Sequence, residues 1–305
     1  MPHTCSILAT TPGGIDRFLL KYNAALNKWI VGHFANISAG SGTTSTIVIS
    51  SNCMDYNLNA VLGTLGAAET INLVVAQGVV VESSSSGTPA MDLSGIISGC
   101  TVNLTNLGYI IGKGGNGGTG AAMSYPGTGE VVTVATNGQP GGLAIKGPGS
   151  GCTFNATNGS GHIWGGGGGG GGGGVSYNLT SNSVSNGGGG GAGAGAAFGG
   201  NPGMLFNHNA GLAAATAGGN STSGVNGTFG AAGAAGMSGS GSGASNGGAG
   251  GDFGAAGAAG VSNAVASVIM APGTAGAAGA AISLGGGTVT WISGSGSPNV
   301  KGAVS

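Results

Sequence analysis

Charged residues are scarce in this sequence. The 305 residues include six Lys or Arg and seven Asp or Glu, for a net charge of -1. Between Gly147 and Val300 the single charged residue is Asp252. Six basic side chains are too few for a surface that binds nucleic acid or for a polybasic membrane patch. We therefore expect neither partner.

Long apolar runs and metal-binding spacings are also missing. Leu73–Val81 and Ala264–Ala271 are shorter than the ~20 residues that span a bilayer, and Met1–Cys5 lacks the basic start of a secretory signal. We expect no membrane insertion and no leader. The cysteines form no C-x-x-C pair and the histidines lie far apart, so we predict no metal and no cofactor. The cysteines stand at positions 5, 53, 100 and 152, and the histidines at 3, 33, 162 and 208.

Paired carboxylates, which acid–base catalysis needs, are not apparent either. Glu69, Glu82 and Asp92 are the acidic residues that lie nearest to one another in the sequence. Nothing in their spacing demands that two of them form a catalytic pair. Gly112-Lys113-Gly114 lacks the Gly-Lys-Ser/Thr ending of a phosphate loop. The sequence predicts a structural or recognition protein rather than an enzyme.

Glycine is abundant, with 75 residues where ordinary usage is ~7%. In the C-terminal half it recurs at every third position, mostly with Ala-Ala between. Three residues per turn is the period of polyproline II, which has no internal hydrogen bonds and must pair with neighbouring chains. We predict a polyglycine-II bundle over 108–290 with Gly165–Gly174, bare on every edge, at its centre. The periodic glycines are 227, 230, 233, 236 and 239; 248, 251, 254, 257 and 260; and 273, 276 and 279.

The first 40 residues fit either a helix or a hairpin. Apolar residues from Ile15 to Trp29 have helical spacing, but Trp29-Ile30-Val31 is β-prone and favours strands at Phe18–Tyr22 and Lys28–Phe34. We interpret 1–40 as an attachment unit, 41–107 as a β-strand region and 291–305 as a C-terminal tail. The attachment residues that we propose are Phe18, Leu20, Tyr22 and Trp29. The strands predicted in 41–107 are Ser45–Ser50, Ile71–Ala76, Val79–Glu82, Ile96–Ile97 and Thr101–Thr105.

An internal repeat follows. Gly99-Cys100-Thr101 begins a strand that ends in glycine, and Gly151-Cys152-Thr153 begins a similar one 52 residues later. A weaker third copy starts at Asn178. Such units usually stack, because one unit cannot bury its own face. Stacking would let Cys100 and Cys152 form a disulfide; the alternative is two buried thiols.

Three non-glycine stretches, 123–141, 201–217 and 261–272, are predicted as loops of the bundle. Each carries apolar or aromatic residues inside an Ala/Gly-rich region. Such residues on loops of a rigid scaffold suit a binding surface, and they equally suit small hydrophobic plugs. The candidate receptor-binding residues are Tyr125, Met204, Leu205, Phe206, His208, Val268, Ile269 and Met270.

Several stretches resemble the glycine-rich proteins of bacteriophage tail fibres that recognise host receptors. They are Ile71–Gly118 with its glycine-rich end, Gly141-Gly142-Leu143-Ala144-Ile145, the second strand-plus-glycine unit ending at Gly174, and Asp16–Asn23 closing on Lys28-Trp29. The functional relatives that this resemblance implies are the tip adhesins of T-even-like phages. In that family an N-terminal domain attaches to the fibre, and a polyglycine-II sandwich presents variable loops to an outer-membrane receptor.

The resemblance implies a virion protein that is made in the host cytoplasm and joins other fibre proteins through its N-terminal region. It also implies a bacterial surface receptor as the second partner. Two alternatives remain open: a purely structural fibre component, and an ice-binding protein with a flat Ala/Thr/Ser face. A monomer that caps a trimeric fibre and a homotrimer are both compatible with the sequence.

Overall fold

The computed structural model describes residues 16–23, 28–36, 44–62, 68–123, 132–178, 183–195, 224, 231–237, 245–262 and 268–305. In these residues the chain is mainly β, as predicted, with one five-residue helix, α1 (Leu58–Leu62). The strands are β1 (Asp16–Asn23), β2 (Lys28–Asn36), β3 (Thr44–Ile49), β4 (Cys53–Met54), β5 (Tyr56–Asn57), β6 (Thr70–Val75), β7 (Val80–Glu82), β8 (Met91–Asp92), β9 (Thr101–Asn106), β10 (Tyr109–Ile111), β11 (Ala122–Met123), β12 (Val132–Thr133), β13 (Ile145–Lys146), β14 (Thr153–Thr157), β15 (His162–Trp164), β16 (Val175–Asn178), β17 (Ser183–Ser185), β18 (Val268–Met270), β19 (Ile282–Ser283), β20 (Val289–Ser293) and β21 (Val300–Lys301).

Three sheets form the first part of the structure, which we call the coil. Sheet A has the order β1-β2-β3-β6-β9-β14-β20, sheet B the order β21-β15-β10-β7-β4, and sheet C the order β19-β13-β8-β5. From β3 onward the chain visits sheets A, B and C in turn. Those strands between β3 and β21 that belong to these three sheets all pair in parallel. This is the topology of a three-sided parallel β-helix.

Period-two patterning accounts for the strands of sheet A. Along β3 exposed and buried residues alternate, and β6 and β9 repeat the alternation with their small polar or β-branched residues outside. The inward side chains of all three sheets meet in one hydrophobic core. Its large, fully buried members include Leu58, Ile71, Leu73, Met91, Leu104, Ile110, Ile145, Phe154, Ile163 and Ile282.

The hairpin interpretation of the N-terminal residues is confirmed. β1 pairs with β2 antiparallel from Asp16↔Asn36 to Asn23↔Lys28, with a register shift between Phe18 and Leu20. β2 then pairs antiparallel with β3, so the hairpin adds two strands to one edge of sheet A.

The two similar segments lie side by side. β9 and β14 pair in parallel, residue for residue, from Thr101↔Thr153 to Thr105↔Thr157. The third, weaker segment is placed elsewhere, because β16 pairs antiparallel with β17 and β18 in a separate sheet.

Buried asparagines explain why each of the two segments ends in Asn. Asn106 and Asn158 are fully buried, and the Asn106 Nδ2 donates to Asn158 Oδ1 at 2.8 Å. Asn158 in turn donates to the backbone oxygens of Gly294 and Asn299. The amides therefore satisfy backbone groups where the chain turns from sheet A to sheet B.

Two features differ from the sequence-based prediction. Ile96–Ile97 is not a strand, because the turns at Ser94-Gly95 and Ser98-Gly99 leave only two residues between them; Ile96 is buried in the core and Ile97 is exposed. The C-terminal segment, predicted as a tail, contributes most of β20 to sheet A and all of β21 to sheet B. Trp291 of β20 packs against the core.

The second part of the structure, which we call the glycine bundle, consists of extended segments between the strands. At its centre runs Gly165–Gly174, here the central run. Its N–H groups donate to three segments in strict rotation. Gly166, Gly169 and Gly172 donate to 136–142; Gly167, Gly170 and Gly173 to 188–194; and Gly168, Gly171 and Gly174 to 255–261.

The carbonyls of the central run accept from three further segments with the same three-residue period. The donors are Gly115, Gly118 and Ala121 of 112–121; Gly248, Gly251 and Gly254 of 248–254; and Gly273, Gly276 and Gly279 of 273–279. Six segments therefore surround the central run. They also bond to one another in a closed ring, through Gln139→Asn116, Gly138→Thr274, Gly257→Gly276, Ala258→Ala249, Gly191→Gly248 and Gly190→Gly118.

The central run has no room for side chains. A Cβ built on any residue from Gly165 to Gly173 would lie 1.8–2.1 Å from a backbone oxygen. In the outer segment 273–279 glycine faces inward and alanine outward: Gly273, Gly276 and Gly279 are buried, and Ala277 and Ala278 are exposed. The three-residue glycine period thus marks the face that meets neighbouring backbone.

Candidate functional site

Several segments of the glycine bundle end at the same level, which we call the distal end, whereas the turn at 252–255 lies at the opposite end, beside the coil. The central run leaves the coil after β15 and reaches this end at Gly174, where β16 begins. Ala121 donates to Gly173 and Gly174 donates to Val261, so both neighbouring segments also end at this level. Gly188 donates to Ser245, which places the start of that segment there too.

The described residues flank four connections at the distal end: 124–131, 179–182, 238–244 and 263–267. Two small sheets support them. β11 pairs antiparallel with β12, and β16 pairs antiparallel with both β17 and β18. A hydrogen-bonded backbone therefore holds the base of three connections, and extended segments of the bundle hold the base of 238–244.

Charge is nearly absent from these connections. Within 124–131, 179–182, 238–244 and 263–267 the single formally charged residue is Glu130. Long-range electrostatic steering by these connections is therefore weak.

The opposite end of the bundle meets the coil through an aromatic cluster. Trp164 of β15 packs on Phe253 with ring centroids 4.8 Å apart, and Lys301 Nζ lies 4.9 Å from the Trp164 ring centroid. Lys301 also pairs with Asp252 at 3.5 Å, and Trp164 Nε1 donates to Pro298 O at 2.8 Å. This cluster joins β21, β15 and the bundle segment that contains Phe253.

His162 borders the same cluster. Its ring stacks on Tyr109 at 4.9 Å and lies 4.6 Å from the Trp164 ring. Burial lowers the pKa of His162, and the nearby Lys301 ammonium lowers it further, although a hydrogen bond with the Pro298 backbone acts the other way.

Comparison with known proteins gives one family. The family model described as "Phage tail fibre adhesin Gp38" matches residues 44–304, most of the chain. The chain belongs to this family. The adhesin is therefore a component of the virion tail fibre.

A solved structure gives a second likeness. The crystal structure of the gp37–gp38 adhesin tip complex of the bacteriophage S16 long tail fibre is similar to the adhesin, with 23% identity and a TM-score of 0.49. The alignment covers 88% of this chain and 83% of that one. A search of curated proteins finds no match.

The predicted receptor-binding residues fall mainly outside the described residues. Tyr125 lies in the connection between β11 and β12, and Met204, Leu205, Phe206 and His208 all lie outside as well. Val268, Ile269 and Met270 form β18, whose backbone is part of the distal end.

Sequence reasoning missed two distal connections, 179–182 and 238–244. The first is Leu-Thr-Ser-Asn and the second contains only Ser, Gly and Ala, so neither carries the apolar cluster by which loops were selected. The sequence signal that could have identified these connections is the end of each glycine segment. A segment of the bundle that ends has to turn at the same level as its neighbours.

The predicted attachment residues lie in the hairpin, Phe18, Leu20 and Tyr22 on β1 and Trp29 on β2. In the backbone register Tyr22 pairs with Trp29, and Leu20 pairs with Val31.

The predicted disulfide is not formed in the structure. No disulfide joins Cys53, Cys100 or Cys152, and Cys5 lies outside the described residues. The Cys152 thiol instead donates to Ile97 O at 3.0 Å, beside the turn that leads into Cys100.

Within the part of the chain that the structure describes, no three His, Cys, Asp or Glu side chains come together to hold a metal ion. No helix in that part is long and apolar enough to cross a bilayer.

Proposed function

We propose that the adhesin binds a bacterial surface receptor through the loops at the distal end, without catalysis. The observation that carries this proposal is that the segment ends flanking four connections converge at the end of a rigid bundle opposite the coil. Binding surfaces are often built from loops on such a scaffold. The predicted residues Tyr125, Val268, Ile269 and Met270 belong to this set of loops or their base.

The bundle is proposed to be a set of polyglycine-II helices. Three observations support this: hydrogen bonds that leave each segment for its neighbours, their three-residue rotation, and the glycine face buried in the outer segments. A bundle whose interior is backbone on backbone cannot rearrange when its loops change, because no side chains are there to repack. The loops can therefore vary in sequence without loss of the scaffold.

The N-terminal hairpin is proposed as the attachment unit to another fibre protein, with Phe18, Leu20, Tyr22 and Trp29 in the contact. The hairpin forms the free edge of sheet A, and an edge strand offers unpaired backbone groups to a partner. The compared S16 adhesin is seen in complex with gp37, a second tail-fibre protein. The division that we propose keeps 1–40 as the attachment unit; the ranges 41–107, 108–290 and 291–305 all contribute strands to the coil, and the glycine segments within 108–290 form the bundle.

Adsorption competition tests the receptor-binding proposal. Purified full-length adhesin, pre-incubated with host cells, should block attachment of the phage that carries it. If the adhesin is folded and assembled in its native oligomer but does not block phage attachment, the result would favour a purely structural fibre component. Mass measurement of the same sample distinguishes a monomer from a homotrimer.

Loop exchange then locates the site. Replacement of 124–131, 179–182 and 263–267 by Gly-Ser sequences of equal length should abolish competition while the melting temperature changes little; 238–244 is left unchanged because it already consists of Ser, Gly and Ala. The control variant carries Gln77→Ala and Ser295→Ala on exposed turns of the coil and should compete like the unmodified adhesin. Full competition by the loop variant would contradict the distal site.

A further inference from the structure

Cys100 and Cys152 occupy equivalent places at the start of neighbouring strands β9 and β14. The ladder continues on both sides of the pair: Gly99 N–H donates to Gly151 O at 2.8 Å, and Thr153 N–H donates to Cys100 O at 2.9 Å. Adjacent strands lie about 4.8 Å apart. The two Cα atoms are therefore at a spacing within the range of about 4.4–6.8 Å that a disulfide requires.

Both side chains face the same side of sheet A. Thr101 and Thr153 are the outward residues of their strands, and Val102 and Phe154, the next along, are buried. Strand alternation places the preceding cysteines on the inner side with Val102 and Phe154. Cys100 belongs to the buried core and Cys152 packs against that core.

The Cys152 thiol also senses its neighbour. Burial raises the pKa of Cys152, and the electrostatic effect of Cys100 raises it further. They differ in access, because Cys100 is 1% exposed and Cys152 is only partly buried. An external reagent therefore reaches Cys152 first.

We propose that Cys100 and Cys152 form a redox latch that is open during assembly and closes as a disulfide outside the cell. The structure corresponds to the open, dithiol state. A tail-fibre protein is made in the reducing bacterial cytoplasm, where thiols persist, and it acts in an oxidising exterior. The latch ties together two neighbouring turns of the coil.

The oxidant is a small-molecule disulfide such as oxidised glutathione. The Cys152 thiolate attacks one sulfur of that disulfide, the external S–S bond breaks, and one glutathione thiol leaves as a mixed disulfide forms. The Cys100 thiolate then attacks the Cys152 sulfur and releases the second glutathione. Two protein thiols are oxidised, one external disulfide is reduced, and the two protons end on the released thiols. The raised pKa of Cys152 makes the first step slow at neutral pH, since the thiolate is the nucleophile.

Closing the latch constrains the unfolded chain. The loop between Cys100 and Cys152 contains β10 and two glycine segments, 112–121 and 136–142. A long stretch of chain therefore loses conformational freedom in the unfolded state. For a loop of this length we expect the melting temperature to rise by about 5 °C on oxidation and to return on reduction.

Peptide mapping of the full-length adhesin tests the proposal. The sample is incubated overnight with oxidised glutathione, its free thiols are alkylated under denaturing conditions, and it is digested with trypsin. Because basic residues are few, Cys152 lies on peptide 147–301, whereas Cys53 and Cys100 share peptide 29–113. We expect these two peptides to be linked, and we expect the link to persist in Cys53→Ser. Burial raises the pKa of Cys53 to about 12, which makes it a suitable unreactive control.

Three results would overturn the latch. One is complete alkylation of all four cysteines after oxidation, another is a link that persists in Cys100→Ala, and the third is a link between two chains. Because mapping is performed on the unmodified adhesin, a folding defect in a variant does not affect the main result. The reversible shift in melting temperature gives an independent readout, and it should be absent from Cys152→Ser.

Discussion

Inside the glycine bundle, stability depends on whether there is room for a single added methyl group. On Gly169 an added Cβ would lie 1.9 Å from Asn116 O, a backbone atom that is itself fixed by the ring of segments. Gly149 on the coil side has nothing within 4 Å of the same built atom. The two glycines therefore separate the effect of crowding from the effect of losing a glycine.

We predict that Gly169→Ala destabilises the adhesin by about 3 kcal/mol or more, since backbone cannot move aside as a side-chain tip can. Gly149→Ala should be neutral or slightly stabilising, because it reduces only the freedom of the unfolded chain. Thermal unfolding of both variants checks this. A Gly169→Ala melting curve like that of the unmodified protein would mean that the central run is not packed backbone on backbone.

At the residue scale we also expect an effect of pH on stability, through His162. The folded-state pKa of His162 is lowered by burial, with a further lowering by Lys301, so the unfolded chain binds a proton more readily than the folded one. The His162 contribution to stability is complete above the unfolded pKa of ~6.5 and is lost as pH falls from there toward the folded pKa. Tyr109, Trp164 and Lys301 are the groups that face the ring, and none of them can neutralise a second positive charge.

We therefore expect the melting temperature to fall between pH 7.5 and pH 5, and we expect His162→Gln to reduce that fall. The comparison with the variant is needed because the chain has three further histidines, His3, His33 and His208. An identical fall in the variant would assign the effect to those histidines.

At the scale of elements, asparagines on neighbouring strands contribute unequally according to burial. On the outer face of sheet A, Asn155 donates to Asn103 and Asn103 donates to Asn72, at 2.8 and 2.9 Å. Asn106 donates to Asn158 Oδ1 and accepts from the Gly108 backbone while fully buried. Removing a buried partner leaves the remaining groups unsatisfied, whereas an outer-face amide can turn to water.

We predict that Asn106→Ala costs about 2–3 kcal/mol and that Asn103→Ala costs about 1 kcal/mol or less. Chemical denaturation of the two variants, analysed with a common m-value, compares their free energies of unfolding. Equal costs would mean that the outer ladder, and not the buried corner, holds the strands together.

The same elements explain what the sequence could and could not predict. The hairpin, β3, β6, β9 and the glycine period carry long patterns, and all were found from the sequence. β4, β5, β8, β13 and β19 have two residues each, too few for any periodicity, so the three-sided coil could not be seen. The distal connection 238–244 was missed because its Ser, Gly and Ala composition is that of the scaffold itself, and 179–182 was missed because four residues are too short to show an apolar cluster.

At the scale of the whole molecule, the low charge sets the expected solution behaviour. With a net charge of -1 and one charged residue in the four distal connections, receptor binding should change little with salt. We predict less than about a threefold change in the affinity for host cells between roughly 0.05 and 0.5 M NaCl. Surface plasmon resonance on immobilised outer-membrane vesicles measures it. A steep loss of affinity would indicate charged contacts elsewhere on the adhesin.

The closed ring around the central run has a consequence for biosynthesis. A ribosome completes Gly174 long before it reaches 273–279, the last of the six segments that surround the run. At about 5–20 residues per second, the central run waits roughly 5–20 s for its final hydrogen-bond partners. During that interval its backbone has water as the alternative partner, and a nascent chain stalled before Gly273 would leave the ring open on one side. Maturation of this adhesin is therefore set by the emergence of its C-terminal segments rather than by the folding of its first domain.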